Sequence, residues 1–327
     1  MCPDLTSGTA WLSAEQLRAA YGRRELSPVE VVQAVLDRIE RLDPEHAIFV
    51  TRTPELALEA ARRAEVSYRE GEPGLLAGVP VSIKDLVEVE AVRTTYGSLV
   101  YGVEQSPGDA PVTARLREAG AAILGKTATP EMGWKGETTS RVHGSTHNPW
   151  RHGLTAGGSS GGAAAAVALG MGPLAQGGDG AGSIRIPSSF CGVFGIKPTV
   201  GLIPQANPSG SGLSAIGPIS RTVGDAALFL DAAAGLHTHD TLDAGVEGVR
   251  VAWAGDLGYA AVEPEILELC RAAAFRLDAA EAALTEAHPA WTTPGPWWTR
   301  SGLTRRLPTT ARTLTRCATG STPAAPR

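Results

Sequence analysis

From Leu75 to Val89 the chain reads LLAGVPVSIKDLVEV, and this stretch most restricts the architectures open to it. It is short, rich in β-branched residues and bounded by Gly and Pro, the pattern of a buried strand. The preceding residues, 12–65, have helical spacing instead. SAEQLRAAYGRREL opens on a Ser–Gln start, and SPVEVVQAVLDRIERL opens on Ser27 and Pro28 and lines one face with Val31, Val32, Val35, Leu36 and Ile39. PELALEAARRAEVSYREG continues in the same manner to a glycine stop. After Val89 the two periods alternate. PVTARLREAG reads as a helix ending at Gly120, AAILGK as a strand, and Ser160 to Leu169 as a helix leaving a glycine-rich turn. VGDAALFLDAAAG, GVRVAWAGD and PEILELCRAAAFRLDAAEAAL read as helix, strand and helix. Such alternation predicts an α/β fold, a sheet with helices covering its faces.

One segment invites a nucleotide reading. GAAILGKT, Gly120 to Thr127, satisfies the phosphate-loop pattern G-x-x-x-x-G-K-S/T. A phosphate loop needs a strand before its first glycine and a helix starting at the lysine, because the N–H groups of that helix hold the phosphates. Here the order is inverted: a helix precedes Gly120, and the residues between the glycines are strand-like. Asp231, a candidate partner acid, falls within a helical segment. The match is a coincidence, and Lys126 is expected at a strand end, pointing to solvent.

Composition narrows the remaining classes. With 327 residues, 43% apolar and 19% charged, and a net charge of −5, the chain has no electrostatic footprint for nucleic acid or an anionic membrane. The N-terminus shows no signal-peptide pattern, and the apolar run Ala163 to Ala175 is short for a membrane span. Cys2, Cys191, Cys270 and Cys317 are scattered, which suggests neither a zinc site nor a disulfide framework and fits a reducing cytoplasm. Cys191 is expected to pack in the core.

Three separated motifs carry the chemistry: PVSIKD with Lys84, TAGGSSGG with Ser159 and Ser160, and GGDGAGSIRIPSSFCG with Ser183. Glycine/serine runs are usually turns or linkers. This one runs directly into AAAAVALG and lies at a fixed distance from a strand lysine. The motifs, with TTYGS (94–98), PEMGWKGETTSRVHGSTHNPW (130–150) and GIKPTVGLIP (195–204), resemble the amidase signature family over roughly residues 12–290. The spacings of 75 residues from Lys84 to Ser159 and 24 from Ser159 to Ser183 are similar to that family's.

The resemblance implies a mixed β-sheet core with helices on both faces. It implies Ser183 as nucleophile, Ser159 as bridging serine after a cis peptide bond, and Lys84 as base. The turn Gly180, Ala181, Gly182 and Ser183 would supply an oxyanion hole, with Ser160, Asp179 and Arg185 as a supporting buried network. The residue types suit the chemistry. A serine hydroxyl needs a base to take its proton, and a lysine serves only when neutral, which burial on an apolar strand promotes. The implied partner is a small-molecule amide; no cofactor or metal is called for, and a homodimer is the assembly considered. Ser82, on the same strand face as Lys84, points parallel to it rather than toward it. His143, His147 and His152 crowd one loop without a G-x-S-x-G context and read as loop residues.

The sequence departs from the family pattern in places. Gly178 stands where threonine is usual, and Ala181 where glycine is usual, a steric penalty if that residue needs φ > 0. Family members are longer, so the chain reads as C-terminally truncated, with an amidase core over 1–290. The segment 291–327 is expected to be a disordered or non-native tail. It continues a run without Asp or Glu that begins after Glu286, and is rich in Thr and Arg, as a shifted reading frame in GC-rich DNA would produce. The alternatives are an inactive remnant, an amidotransferase component releasing ammonia from glutamine, and a nucleotide hydrolase.

Overall fold

The computed structural model describes residues 8–101, 104–206 and 212–288. The chain divides into two compact units, Met1–His239 and Asp240–Arg327. The expected boundary at 290 and the tail 291–327 lie outside the described residues.

The first unit is built on a six-stranded mixed sheet. Its elements in chain order are α1 (Ala14–Gly22), α2 (Pro28–His46), β1 (Phe49–Arg52), α3 (Pro54–Glu70), β2 (Pro80–Lys84), α4 (Pro111–Glu118), β3 (Ala122–Thr127), a small hairpin β4 (Thr139–Ser140) and β5 (Gly144–Ser145), α5 (Gly161–Ala168), β6 (Leu174–Asp179), α6 (Arg185–Cys191), β7 (Phe194–Gly195), β8 (Ala215–Ser220) and α7 (Val223–Ala234). Strand order is β1-β3-β2-β6-β8-β7. The central β3, β2 and β6 run parallel, while β1, β8 and β7 pair antiparallel with their neighbours.

Local chemistry sets the helix ends as the sequence suggests. Ser13 and Gln16 form a reciprocal capping box on α1. The Ser27 side chain accepts from the N–H groups of Val29 and Glu30, with Pro28 opening α2. Gly120, at φ +88°, follows the last turn of α4, as a C-cap glycine should. The helical reading of 12–65 needs one correction: β1 interrupts it, because Phe49 and the residues after it pair with the far end of β3.

Apolar residues partition onto two faces. Ala122, Leu124, Ala175 and Ile219 join α2, α3 and α5 in one cluster. Val81, Ile83, Ile123, Leu174 and Ile216 join α1, α4 and α7 in another. Because neighbouring strand residues point to opposite faces, Val81 and Ile83 on the second face put Ser82 and Lys84 on the α5 face. In β3 a bulge breaks this count: Val81 is opposite Ile123, yet Ile83 is opposite Lys126. The extra residue includes Gly125 at φ +147°, where a Cβ would meet the Thr51 carbonyl oxygen at 2.3 Å.

The second unit contains a parallel pair, β9 (Arg250–Trp253) and β10 (Ala283–Glu286), joined through α8 (Pro264–Ala274) and the short α9 (Arg276–Ala279). Among the described residues no helix is long and apolar enough to cross a membrane.

Candidate active site

Lys84 closes β2 with its side chain 1% exposed. Its Nζ lies 2.7 Å from Ser159 Oγ, 2.9 Å from Ser160 Oγ and 3.5 Å from the Gly178 carbonyl oxygen. Gln176, buried on the adjacent β6, fixes the lysine backbone by accepting its N–H at 3.1 Å. Both serines are buried and lie at the entrance to α5, whose eight residues are all buried. The Gly158–Ser159 peptide bond is cis. Gly158 is there for room: a Cβ would meet the Glu137 carbonyl oxygen at 2.6 Å. Thr138, which the sequence motifs do not single out, bridges this turn. Its hydroxyl donates to the Gly157 carbonyl at 2.8 Å and accepts the Gly161 N–H at 3.0 Å.

Ser183 is half-buried in the turn between β6 and α6, and its carbonyl accepts the Ser160 N–H at 3.1 Å. The two serine-bearing turns are thus tied through their backbones. Among the described residues the Ser183 hydroxyl makes no hydrogen bond, so the Ser183–Ser159 side-chain link is open in this structure. Ser160 Oγ accepts from Gly178 N–H at 3.3 Å and also contacts the Gly178 carbonyl at 3.3 Å, fastening α5 to β6.

Asp179 organises the turn. Its buried carboxylate accepts the N–H groups of Gly182 (2.7 Å), Ile184 (3.2 Å) and Arg185 (3.3 Å) and the Arg185 guanidinium (2.9 and 3.0 Å). Burial pushes this carboxyl up. The Arg185 side chain and the backbone donors outweigh burial and hold the pKa down at about 2. Two expectations change here. The Gly182 N–H, counted among oxyanion-hole donors, is already spent on Asp179, leaving the Ala181 and Ser183 N–H groups without a hydrogen bond in the turn among the described residues. The supporting network is only half-buried, since the Arg185 side chain is 57% exposed. Ala181 escapes its expected penalty because the left-handed position is Gly182, at φ +113°. At Gly178 a side chain has space; the nearest atom to a Cβ would be the Ala215 carbonyl oxygen at 4.0 Å.

Lys126 does not point to solvent. It is fully buried, with Nζ 3.1 Å from Asp85 Oδ1 and 2.7 Å from Thr94 Oγ1. The bulge at Gly125 turns it away from the face its sequence position suggests. Burial lowers its pKa, opposed by Asp85. It sits inside strand β3, so no phosphate loop forms, in keeping with the sequence reading of the match as a coincidence. Ser82 Oγ is buried without a hydrogen bond among the described residues. His143 Nε2 lies 3.0 Å from the Thr129 carbonyl, and His147 and His152 stack on each other with ring centroids 3.9 Å apart. Cys191 is a core residue, its thiol pushed up to about 12 by burial.

The Amidase family model matches residues 30–294. The chain belongs to the amidase family. An acylamidase of Rhodococcus erythropolis is 43% identical over 300 residues, covering 87% of this chain and 63% of that protein. A glutamyl-tRNA(Gln) amidotransferase component of Gloeobacter violaceus is 46% identical over 242 residues, covering 73% of this chain and 49% of that protein. This amidase-family chain therefore spans less than two thirds of the length of either relative. Among solved structures, a bacterial aryl acylamidase of the amidase signature family superposes with a TM-score of 0.85 at 29% identity, covering 96% of this chain and 69% of that one. The peptide amidase of Stenotrophomonas maltophilia gives 0.75 at 31% identity, covering 85% and 62%.

Proposed function

We propose that the protein is an amidohydrolase that cleaves a small carboxamide to acid and ammonia or amine through a serine acyl-enzyme. The observation that carries this reading is the buried contact of 2.7 Å between Lys84 Nζ and Ser159 Oγ, made by a serine whose turn is fastened to that of Ser183. In this mechanism the Ser183 oxygen attacks the substrate carbonyl carbon. Its proton passes to Ser159 Oγ as the Ser159 proton passes to a neutral Lys84 amine. The resulting oxyanion accepts from the Ala181 and Ser183 N–H groups; one such donor typically contributes about 2.7–4 kcal/mol. Collapse breaks the C–N bond, the relay returns its proton to the departing nitrogen, and water then cleaves the acyl ester by the same path. The open Ser183–Ser159 link closes on substrate binding, as catalytic hydrogen bonds commonly tighten in the bound complex.

The reading carries a cytoplasmic location and a small-molecule amide as partner, with a homodimer as the assembly to test by sedimentation. The relatives described as glutamyl-tRNA(Gln) amidotransferase components favour one second reading, ammonia release from glutamine. Incubating the full chain with glutamine and a panel of aliphatic and aryl amides separates the two. Release from simple amides that is lost in Ser183→Ala is the expected result. Release from glutamine alone would support the second reading, and release from none would contradict both in favour of an inactive remnant.

A further inference from the structure

Lys84 is the last residue of β2 and Asp85 the first after it, and their side chains meet separate sets of partners. Lys84 enters the candidate site. Asp85 enters a buried polar cluster that the proposed mechanism does not use. There, Oδ1 takes the Lys126 ammonium, and Oδ2 takes both the N–H (3.1 Å) and the hydroxyl of Thr95. Lys126 also reaches the Thr94 hydroxyl. The pair therefore grips the loop at 94–98 by two successive residues. That loop in turn holds the segment after β3. The Tyr96 carbonyl accepts the Met132 N–H at 2.7 Å, and the Ser98 hydroxyl donates to Glu131 Oε1 at 2.5 Å. Met132 and Gly133 are both left-handed, at φ +53° and +65°, a conformation a methionine adopts only when its surroundings impose it. A Cβ on Gly133 would stand 3.2 Å from Ser159 Oγ, so this turn walls the bridging serine.

We propose that the Asp85–Lys126 ion pair is a positioning element for the candidate site. It holds the 94–98 loop, and through it the Met132–Gly133 turn, against Ser159. Its closed charge balance also keeps a net charge from standing beneath Lys84. Among the described residues the other titratable groups around the pair are Tyr96, Glu88, whose Oε1 accepts the Tyr96 hydroxyl at 2.6 Å, and His143. Lys84 itself faces the Ser159 and Ser160 hydroxyls and the Gly178 carbonyl. The site role rests on the hydrolase reading above; the grip on the loop does not.

The test uses the full chain and the double variant Asp85→Asn/Lys126→Met, which removes both charges and strands neither. Hydrogen exchange read by mass spectrometry should accelerate at least tenfold at 94–98 and 130–134 while β2, β3 and α5 keep their protection. Unchanged exchange at those segments, or loss spread evenly over β2, β3 and α5, would overturn the proposal. A second readout is the pH midpoint of Ser183 labelling by a fluorophosphonate, which rises as Lys84 becomes neutral. Lys126→Met leaves a carboxylate that favours the ammonium, moving the midpoint up. Asp85→Asn leaves a cation that disfavours it, moving the midpoint down. Each shift should be about one pH unit at an effective dielectric near 20, and the double variant should return toward wild type. Shifts in the same direction would overturn the charge balance. Absence of labelling in the wild type at every pH would count against the hydrolase reading, and the exchange measurement would then decide this one alone.

Discussion

Two buried lysines lie on neighbouring parallel strands of one sheet, and their surroundings differ in kind. Lys126 on β3 meets a carboxylate, a threonine hydroxyl and the Arg93 carbonyl. Lys84 on β2 meets two serine hydroxyls and a carbonyl. Both are shut from water, so burial does not distinguish a structural lysine from a chemical one. What differs is whether the neighbours neutralise a charge or exchange a proton. A carboxylate partner stabilises the ammonium, whereas hydroxyls can accept and pass protons.

The comparison breaks most visibly on turnover. Lys84→Ala and Ser159→Ala should each lower amide hydrolysis by at least about a thousandfold, since in the proposed mechanism the whole activation of Ser183 runs through them. Steady-state assays on folded variants check this. Lys126→Met should act chiefly on stability, with the reactivity of Ser183 moved only through the shift in pH midpoint given above. It strands the Asp85 carboxylate in the interior, an error worth about 3–5 kcal/mol, visible as a lower denaturant midpoint at unchanged slope.

A third prediction concerns Asp179, whose carboxyl is held at about 2. A depressed folded pKa contributes stability that is fully present above the unfolded value near 3.9 and lost as pH falls through about 2. Acid titration of unfolding should show about 2 kcal/mol draining over that window, and Asp179→Asn should flatten it. The smallest effect is expected at Gly178. The open space there predicts that Gly178→Thr raises stability by about 0.5–1 kcal/mol through the unfolded chain.

The sequence exposed some of this difference and concealed the rest. α2, α4, α7, β2 and β3 were legible because caps and apolar spacing agree with the tertiary environment. β6, at the centre of the sheet, was not. LAQGGD carries glutamine and two glycines where a central strand normally carries branched apolar residues, since Gln176 and Gly178 serve the site and Gly177 has no room for a Cβ, with Ile184 at 2.9 Å. β8 was hidden by Pro218, which has no N–H to give to a ladder and still lies opposite Gln176. Lys126 was misread because a strand alternates only until a bulge intervenes, and the Gly125 bulge is invisible to spacing. Lys84, Ser159 and Ser183 were legible only as a family pattern. The cis bond followed from that pattern too, whereas Thr138 and the commitment of the Gly182 N–H to Asp179 required coordinates.

Covalent labelling of Ser183 by a fluorophosphonate, measured across the two lysines, addresses the central claim most directly. The wild type and the folded Asp85→Asn/Lys126→Met variant should both be labelled at Ser183, while Lys84→Ala should not. Equal labelling in Lys84→Ala, or loss of labelling only when the Lys126 pair is removed, would contradict the assignment of the proton path to the lysine that faces the serines.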